Sequence, residues 1–504
     1  MKSSYKLLIA LAFTLVFSAC SKDFLEVEPI GKMSVELFYQ TDEDATKAII
    51  ATYDILQWMN ARDWNSSYLV KTFPSDESNV GGGDAGDQPP YQELGGFTYG
   101  PSNAPITAVW QSNYFGIYRA NLVLNNVKDD SDLKKQILAE AKFLRAYYYF
   151  EIVSMFGHGP LILDELAPSE YSQPFADAAA IYAQIEKDLN EAIAGLPLKS
   201  QYGAEDKFRA TKGTAQALLG KALLYQKKYT ESAAAFTSVV ESNEYALQAD
   251  FSTLFLKESE FGEESILEAS FVTTSGYDWG TFQWGGNRAM ENNITWQLTG
   301  PRGDYFVAGT TGLIGGWGFN YPRQAAYDVF TAAGDNVRKA ASILSLADLR
   351  AQGGDWTNES SWGWDGCIRV KYGTRMDETN GENGAVPELN YGTNLRLIRY
   401  ADVLLMLAEA LHLSGNDADA AMYLNQVRER AQLAPFTGDI MQAIKTERQM
   451  ELVFEGVRFL DLVRWGDAAT VLGPFGFVAG KHEVFPIPQD EMRNNSTAQQ
   501  NPNY

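Results

Sequence analysis

A chain of 504 residues with 45% apolar content has enough hydrophobic material for a substantial core, which excludes an intrinsically disordered protein. Its formal net charge of −23 excludes a surface built to neutralise nucleic-acid phosphates. Cys20 and Cys367 are the whole cysteine content, so no internal disulfide framework is expected and the fold must rest on its core.

The first residues bear on the compartment. Lys2 and Lys6 precede an apolar run over residues 7–17, followed by Ser18-Ala19-Cys20, the order of an export signal. The run is too short for a comfortable membrane span. Cysteine directly after Ser-Ala points to lipoprotein processing, with residues 1–19 removed and the mature chain starting at a diacylated Cys20. An ordinary secretory signal is the alternative, because Phe17 stands where leucine is more usual. Residues 20–35 then read as a lipid-anchored tether.

Helical spacing sets in over 41–59, where Ala45, Ala48, Ile49, Thr52, Ile55 and Leu56 recur on one side. Residues 60–105 contain Trp64, Gly81-Gly82-Gly83, Pro89-Pro90 and Tyr91, and their Gly/Pro density predicts a long loop. Helices are predicted over 106–126, 133–156 and 177–194, then a helix pair over 215–242. From 251 to 394 the pattern breaks, and eleven glycines among the 43 residues 276–318 argue against regular helix there. Short strands fit 265–271 and 368–372, and a brief helix fits 323–331.

A second helix pair follows over 399–431, RYADVLLMLAEALHLSGNDADAAMYLNQVRERA. Gly415 ends its first helix and Asn416 or Asp417 caps the next, whose inner side is expected to be Ala418, Ala421, Leu424 and Val427. Leu219-Gly220 lies 17 and 16 residues before Phe236, and Leu407-Ala408 lies 17 and 16 before Leu424. The small residue lets two helices approach while the large one fills the gap, the spacing of a tetratricopeptide-type repeat, although the motif's terminal proline is missing in both copies. Such units bury their faces only by stacking. One last helix is predicted over 440–465, with Glu447, Glu451, Glu455, Arg458, Asp461 and Arg464 on one side, apolar residues on the other, and a bend or close packing at Gly456.

Together the lipoprotein signal, DFLEVEP, the hairpin RYADVLLMLAEAL…LNQVRERA, ERQMELVFEGVRFLDLVRWG and the closing FPIPQDEM…QNPNY closely resemble the SusD/RagB family of Bacteroidetes outer-membrane lipoproteins. The resemblance covers essentially the whole chain. It implies a mainly α fold, a tetratricopeptide-like helix-pair superhelix with a loop-rich insert carrying a few short strands. On that reading 36–504 is one SusD-like domain, with helical repeats over 36–245 and 396–432, the insert over 246–395, and a C-terminal helix and tail over 440–504. It further implies a cell-surface, lipid-anchored outer-membrane protein whose loops bind glycan and which covers a SusC-like TonB-dependent transporter. The family's ligand residues follow no fixed motif, so none is carried over.

Tryptophan placement is the strongest site signal. Seven of eleven lie between Tyr277 and Asp365, and the repeat segments 131–245 and 396–432 contain none. A flat indole stacks on the C–H face of a sugar at low entropic cost. Trp279, Trp284, Trp296, Trp317, Trp64 and Tyr91 are therefore the candidate ligand-binding residues; the bland alternative is that these rings pack the insert onto the helices. The loop acids Asp76, Glu77, Asp84, Asp87, Glu93, Asp278 and Asp304 suit hydrogen bonds to sugar hydroxyls better than a catalytic carboxylate pair. No catalytic residue, metal ligand or cofactor is expected: His158, His412 and His482 make no ligand spacing, and Cys367 reads as an inert buried thiol. Two other functions stay open on the sequence, a glycoside hydrolase on a helical frame and a lid binding peptides or other nutrients.

Overall fold

The computed structural model describes residues 38–61, 64–273 and 291–504. Ten principal helices carry the architecture: α1 Asp42–Ala61, α2 Ala104–Asn126, α3 Asp132–Phe156, α4 Ala178–Gly195, α5 Lys212–Tyr225, α6 Tyr229–Glu241, α7 Tyr400–Leu413, α8 Asp417–Arg430, α9 Ile440–Glu451 and α10 Arg458–Trp465. Side-chain caps start them where the sequence offers short polar residues. Ser131 Oγ accepts from Lys134 N, Asp177 Oδ1 from Ala180 N, and Thr211 and Thr214 form a reciprocal capping box. The helices stack in chain order, α2 on α3, α3 on α4, α4 on α5, α5 on α6, and α7 on α8. α6 also packs directly on α7, so the array continues across the insert.

The repeat spacing is realised in contacts. A Cβ on Gly220 would lie 2.7 Å from the Phe236 ring, and Ser232 Oγ donates to Gly220 O at 2.8 Å. In the second copy Ala408 and Leu424 are both fully buried. The inner side of α8 is Ala420, Leu424 and Val427; Ala418 is exposed and Ala421 half-buried, so the buried stripe runs at steps of four and three instead of by threes from Ala418.

Two expectations are corrected. Residues 60–105 are not structureless. They form helices at Ser67–Thr72 and Pro89–Gly95 and a strand, Ser78–Gly81, that pairs antiparallel with Phe319–Pro322 of the insert. A strand whose partner lies this far along the chain leaves little local signal. Nor is 440–465 one helix. α9 ends at Glu451, and Phe454 (φ 60°) and Gly456 (φ 72°) take left-handed conformations in the turn before α10.

The six charges that the sequence places on one side of this α9–α10 segment face inward. Glu447, Glu451 and Asp461 are buried. Glu451 meets Arg338 at 2.9 Å, Arg399 at 3.0 Å and Arg430 at 2.5 Å. Glu455 takes Arg399 at 2.7 Å and Lys371 at 2.8 Å, and Arg448 bridges Asp402 and Asp461, each at 2.7 Å. Burial raises the Glu451 carboxyl pKa, but Arg430, Arg399 and Arg338 outweigh it and hold the group well below the usual carboxylate range. Arg338 and Lys371 belong to the insert, so these ion pairs tie it to the scaffold.

Apolar packing divides accordingly. One core lies within the helix array. A second forms where 68–110, the insert and the C-terminal elements meet, around Tyr91, Trp296, Phe319, Tyr391, Phe459 and Phe485. The tail straps over this core, with Phe485 N donating to Met155 O and Asn501 Nδ2 to Phe156 O. The described strands make five two-stranded antiparallel sheets, including Ser265–Ala269 with Leu395–Arg399 and Ile343–Ser345 with Cys367–Arg369.

Candidate functional site

The sequence candidates separate into three groups. Cys20, Trp279 and Trp284 lie outside the described residues. Tyr91 and Trp296 are each 1% exposed, so neither ring is free to meet a ligand. Trp296 stacks on Tyr372 at 4.4 Å and 5° from parallel, meets the edge of Tyr68, and donates its indole N–H to Thr393 O at 3.1 Å. Tyr91 packs edge-on against Phe319 and beside Phe73. For these two the packing alternative holds: each supplies apolar area to the second core.

Trp64 and Trp317 behave differently. Both are half-buried, and their indoles stack with centroids 5.2 Å apart and 17° between planes. Tyr91 and Phe319 sit behind Trp64 at 6.4 and 6.3 Å, so the buried candidates brace the surface ones. Gln297 accepts from Trp317 Nε1 at 3.2 Å once its amide is oriented to satisfy both neighbours. Arg302 Nη1 donates to Trp317 O at 3.2 Å and pairs with Asp304 at 2.9 Å.

Glycines let the polypeptide come close enough to build this surface. Gly82 N donates to Gly318 O at 2.8 Å. A Cβ at Gly81 (φ +71°) would fall 2.2 Å from Gly318 O, and one at Gly363 (φ +73°) would fall 2.7 Å from Gly81 Cα. The Gly81-Gly82-Gly83 run thus brings the stretch after Trp317 and the stretch after Trp362 onto one ridge. The contact of three distant glycines left no sequence pattern beyond the repeated Trp-Gly pair.

The loop acids are mostly engaged in structure. Asp76 holds Arg458 with both oxygens at 2.8 Å, Glu93 accepts from Asn103 Nδ2 at 2.9 Å, and Asp304 pairs with Arg302. Asp87 Oδ2 accepts from Gly83 N and Asp84 Oδ1 from Gly86 N, each at 2.7 Å. Glu77 is buried, accepts from Phe454 N at 3.2 Å, and is pushed up to about 8 by burial and then by Asp76. Among the described residues no group of three or more His, Cys, Asp or Glu is arranged to hold a metal ion. Burial pushes the Cys367 thiol up to about 12, which removes the thiolate a nucleophile needs.

A helix-pair superhelix carries the insert and the half-buried Trp64–Trp317 stack, and comparison with known proteins identifies its kind. A sequence profile described as "SusD family" matches residues 376–476, and one described as "Starch-binding associating with outer membrane" matches residues 23–224. The chain is 35% identical to a solved laminarin-binding SusD-like protein, at a TM-score of 0.83, covering 92% of this chain and 100% of that one. It is 26% identical, at a TM-score of 0.77 and with 92% and 100% coverage, to surface glycan-binding protein A of Bacteroides thetaiotaomicron, solved with laminarihexaose. SusD-like protein P38 of Formosa agariphila is 27% identical over 97% of this chain and 96% of its own. The chain belongs to the SusD/RagB family.

Proposed function

We propose that this protein is a glycan-binding lipoprotein of the outer-membrane surface, anchored through Cys20, that hands oligosaccharide to a SusC-like TonB-dependent transporter. The Trp64–Trp317 stack carries the reading: two indoles held partly open to solvent on a braced frame suit the apolar face of a sugar. Relatives described as binding laminarin, laminarihexaose and starch support the ligand class, and laminarin is the first glycan to test. Family membership supports the transporter partner and the surface location. The protein binds its ligand without cleaving it, in keeping with relatives described as binding proteins.

Affinity electrophoresis on a panel of polysaccharides, run beside a reducing-sugar assay, tests this. Retardation by laminarin with no release of reducing ends is expected. Release of reducing ends would replace the reading with hydrolysis, and absence of retardation by every glycan would remove it.

A further inference from the structure

A cavity of about 40 Å³ lies between α3, α5, the strand Leu395–Arg399 and the turn before α10. Its polar lining is Glu151 from α3, Lys221 and Tyr225 from α5, and Lys71, Arg396 and Glu455 from three further stretches of the chain. A space of this size takes about three waters, or a monatomic ion with one or two of them.

The charged groups around it are unevenly served. Lys71 Nζ donates to both oxygens of Glu151, at 3.2 and 3.0 Å. Glu455 is taken by Arg399 at 2.7 Å and by Lys371 at 2.8 Å, neither of which lines the cavity. Arg396 gives its guanidinium to the carbonyls of Asn394 and Leu256, each at 2.8 Å. Lys221 alone lacks an acceptor. Its one ion pair among the described residues is with Asp402 Oδ2 at 3.9 Å, beyond hydrogen-bond range, and Arg448 holds the other oxygen of that carboxylate at 2.7 Å. One turn on along α5, the Tyr225 hydroxyl likewise makes no hydrogen bond among the described residues.

An ammonium carries three donors, and leaving them unanswered away from bulk water forfeits its hydration. Burial pushes the Lys221 pKa down, Asp402 opposes this, and the charges of Arg448 and Lys71 push it down further. Three cationic side chains line the space against two carboxylates, and both carboxylates are already engaged. Water alone would satisfy the donors and leave the charge unanswered. A small anion does both, accepting from Lys221 and from the Tyr225 hydroxyl. The volume admits a halide and shuts out a branched organic anion.

We propose that the cavity beside Lys221 binds a small inorganic anion of the size of chloride, which completes the junction between the helix array and the C-terminal segment. The test is thermal melting of the full-length protein in sodium chloride, sodium bromide and sodium gluconate at equal ionic strength, beside anomalous diffraction from crystals grown in bromide. Chloride and bromide are expected to raise the melting temperature over gluconate by about 1 °C or more, saturating with concentration as binding to the folded state requires. Lys221→Met is expected to melt alike in all three salts, and Tyr225→Phe to need several-fold more chloride for the same rise. A bromide peak is expected within hydrogen-bond range of Lys221 Nζ. A wild-type melting temperature indifferent to the anion would overturn the proposal, as would a cavity holding only water. A bromide peak without the melting shift would mark an adventitious ion only, and a chloride effect unchanged in Lys221→Met would also overturn the site. If Lys221→Met does not fold, Tyr225→Phe and the diffraction decide between these outcomes.

Discussion

The indoles of Trp64 and Trp317 lie 17° from parallel at 5.2 Å, joining the segment before the first short helix to the glycine-rich insert. Because each ring is half the support of the other, neither should be removable without consequence for the ligand. Trp317→Ala is expected to lose about 2 kcal/mol or more of glycan binding, the scale of an aromatic anchor. Its cost in folding should be small, since the ring is only half-buried. Titration and melts on the same preparations check this; normal binding by Trp64→Ala and Trp317→Ala alike would refute the assignment.

Trp296 should behave in the opposite way. It fills the second core, stacked on Tyr372, and Trp296→Ala is expected to cost about 3–5 kcal/mol of stability. Glycan affinity per folded molecule should be retained, so denaturant unfolding beside titration of the folded fraction separates this role from that of Trp317.

These two tryptophans mark how far the sequence could be read. The helix array was legible because its apolar residues recur at helical spacing and its small–large pairs at Gly220/Phe236 and Ala408/Leu424 recur at fixed distance. The density of tryptophan in the insert left ligand contact and packing both open, because composition does not distinguish a ring at 1% exposure from one left half open. The strand Ser78–Gly81 was missed because its partner is Phe319–Pro322, and the break after Glu451 because Phe454, not only Gly456, adopts positive φ.

Glu451 sits among three guanidiniums with no solvent to replace them. Glu451→Gln is expected to cost about 3–5 kcal/mol, the scale of a broken buried ion pair, because Arg338, Arg399 and Arg430 keep their charge. Urea unfolding measures it; a loss below about 1 kcal/mol would show that neighbouring carboxylates compensate.

Glu77 makes stability depend on pH with a defined sign. Its folded pKa, about 8, lies above the ordinary 4.5, so the folded state holds the proton more tightly than the unfolded chain. Its contribution is present below pH 4.5 and is lost as pH rises to about 8. Glu77→Gln keeps an acceptor for Phe454 N without the ionisation. The variant is expected to melt higher than wild type at pH 8 and to show a flatter melting profile from pH 5 to 8, and parallel pH dependence in the two proteins would contradict it.

Cys20→Ala is expected to release the protein from the membrane. Acyl chains contribute about 0.8 kcal/mol per buried CH₂, and among the described residues no helix is long and apolar enough to span a bilayer. Fractionation of cells lacking the transporter reads this out; a variant still sedimenting with the outer membrane would argue for another anchor.

The ion pairs reaching from the insert to α9 and the turn after it bear on how this chain can be re-engineered. Because α6 already packs on α7, the intervening segment has the connectivity of an exchangeable cassette. It is not freely exchangeable. Arg338 and Lys371 travel with it, and their loss would leave Glu447, Glu451 and Glu455 with fewer cations in a region closed to water. A graft taken from a relative must therefore carry a guanidinium and an ammonium at those two places, or the recipient's glutamates must be neutralised at the same time. Exchange of the insert in this scaffold is constrained first by charge matching on its buried side.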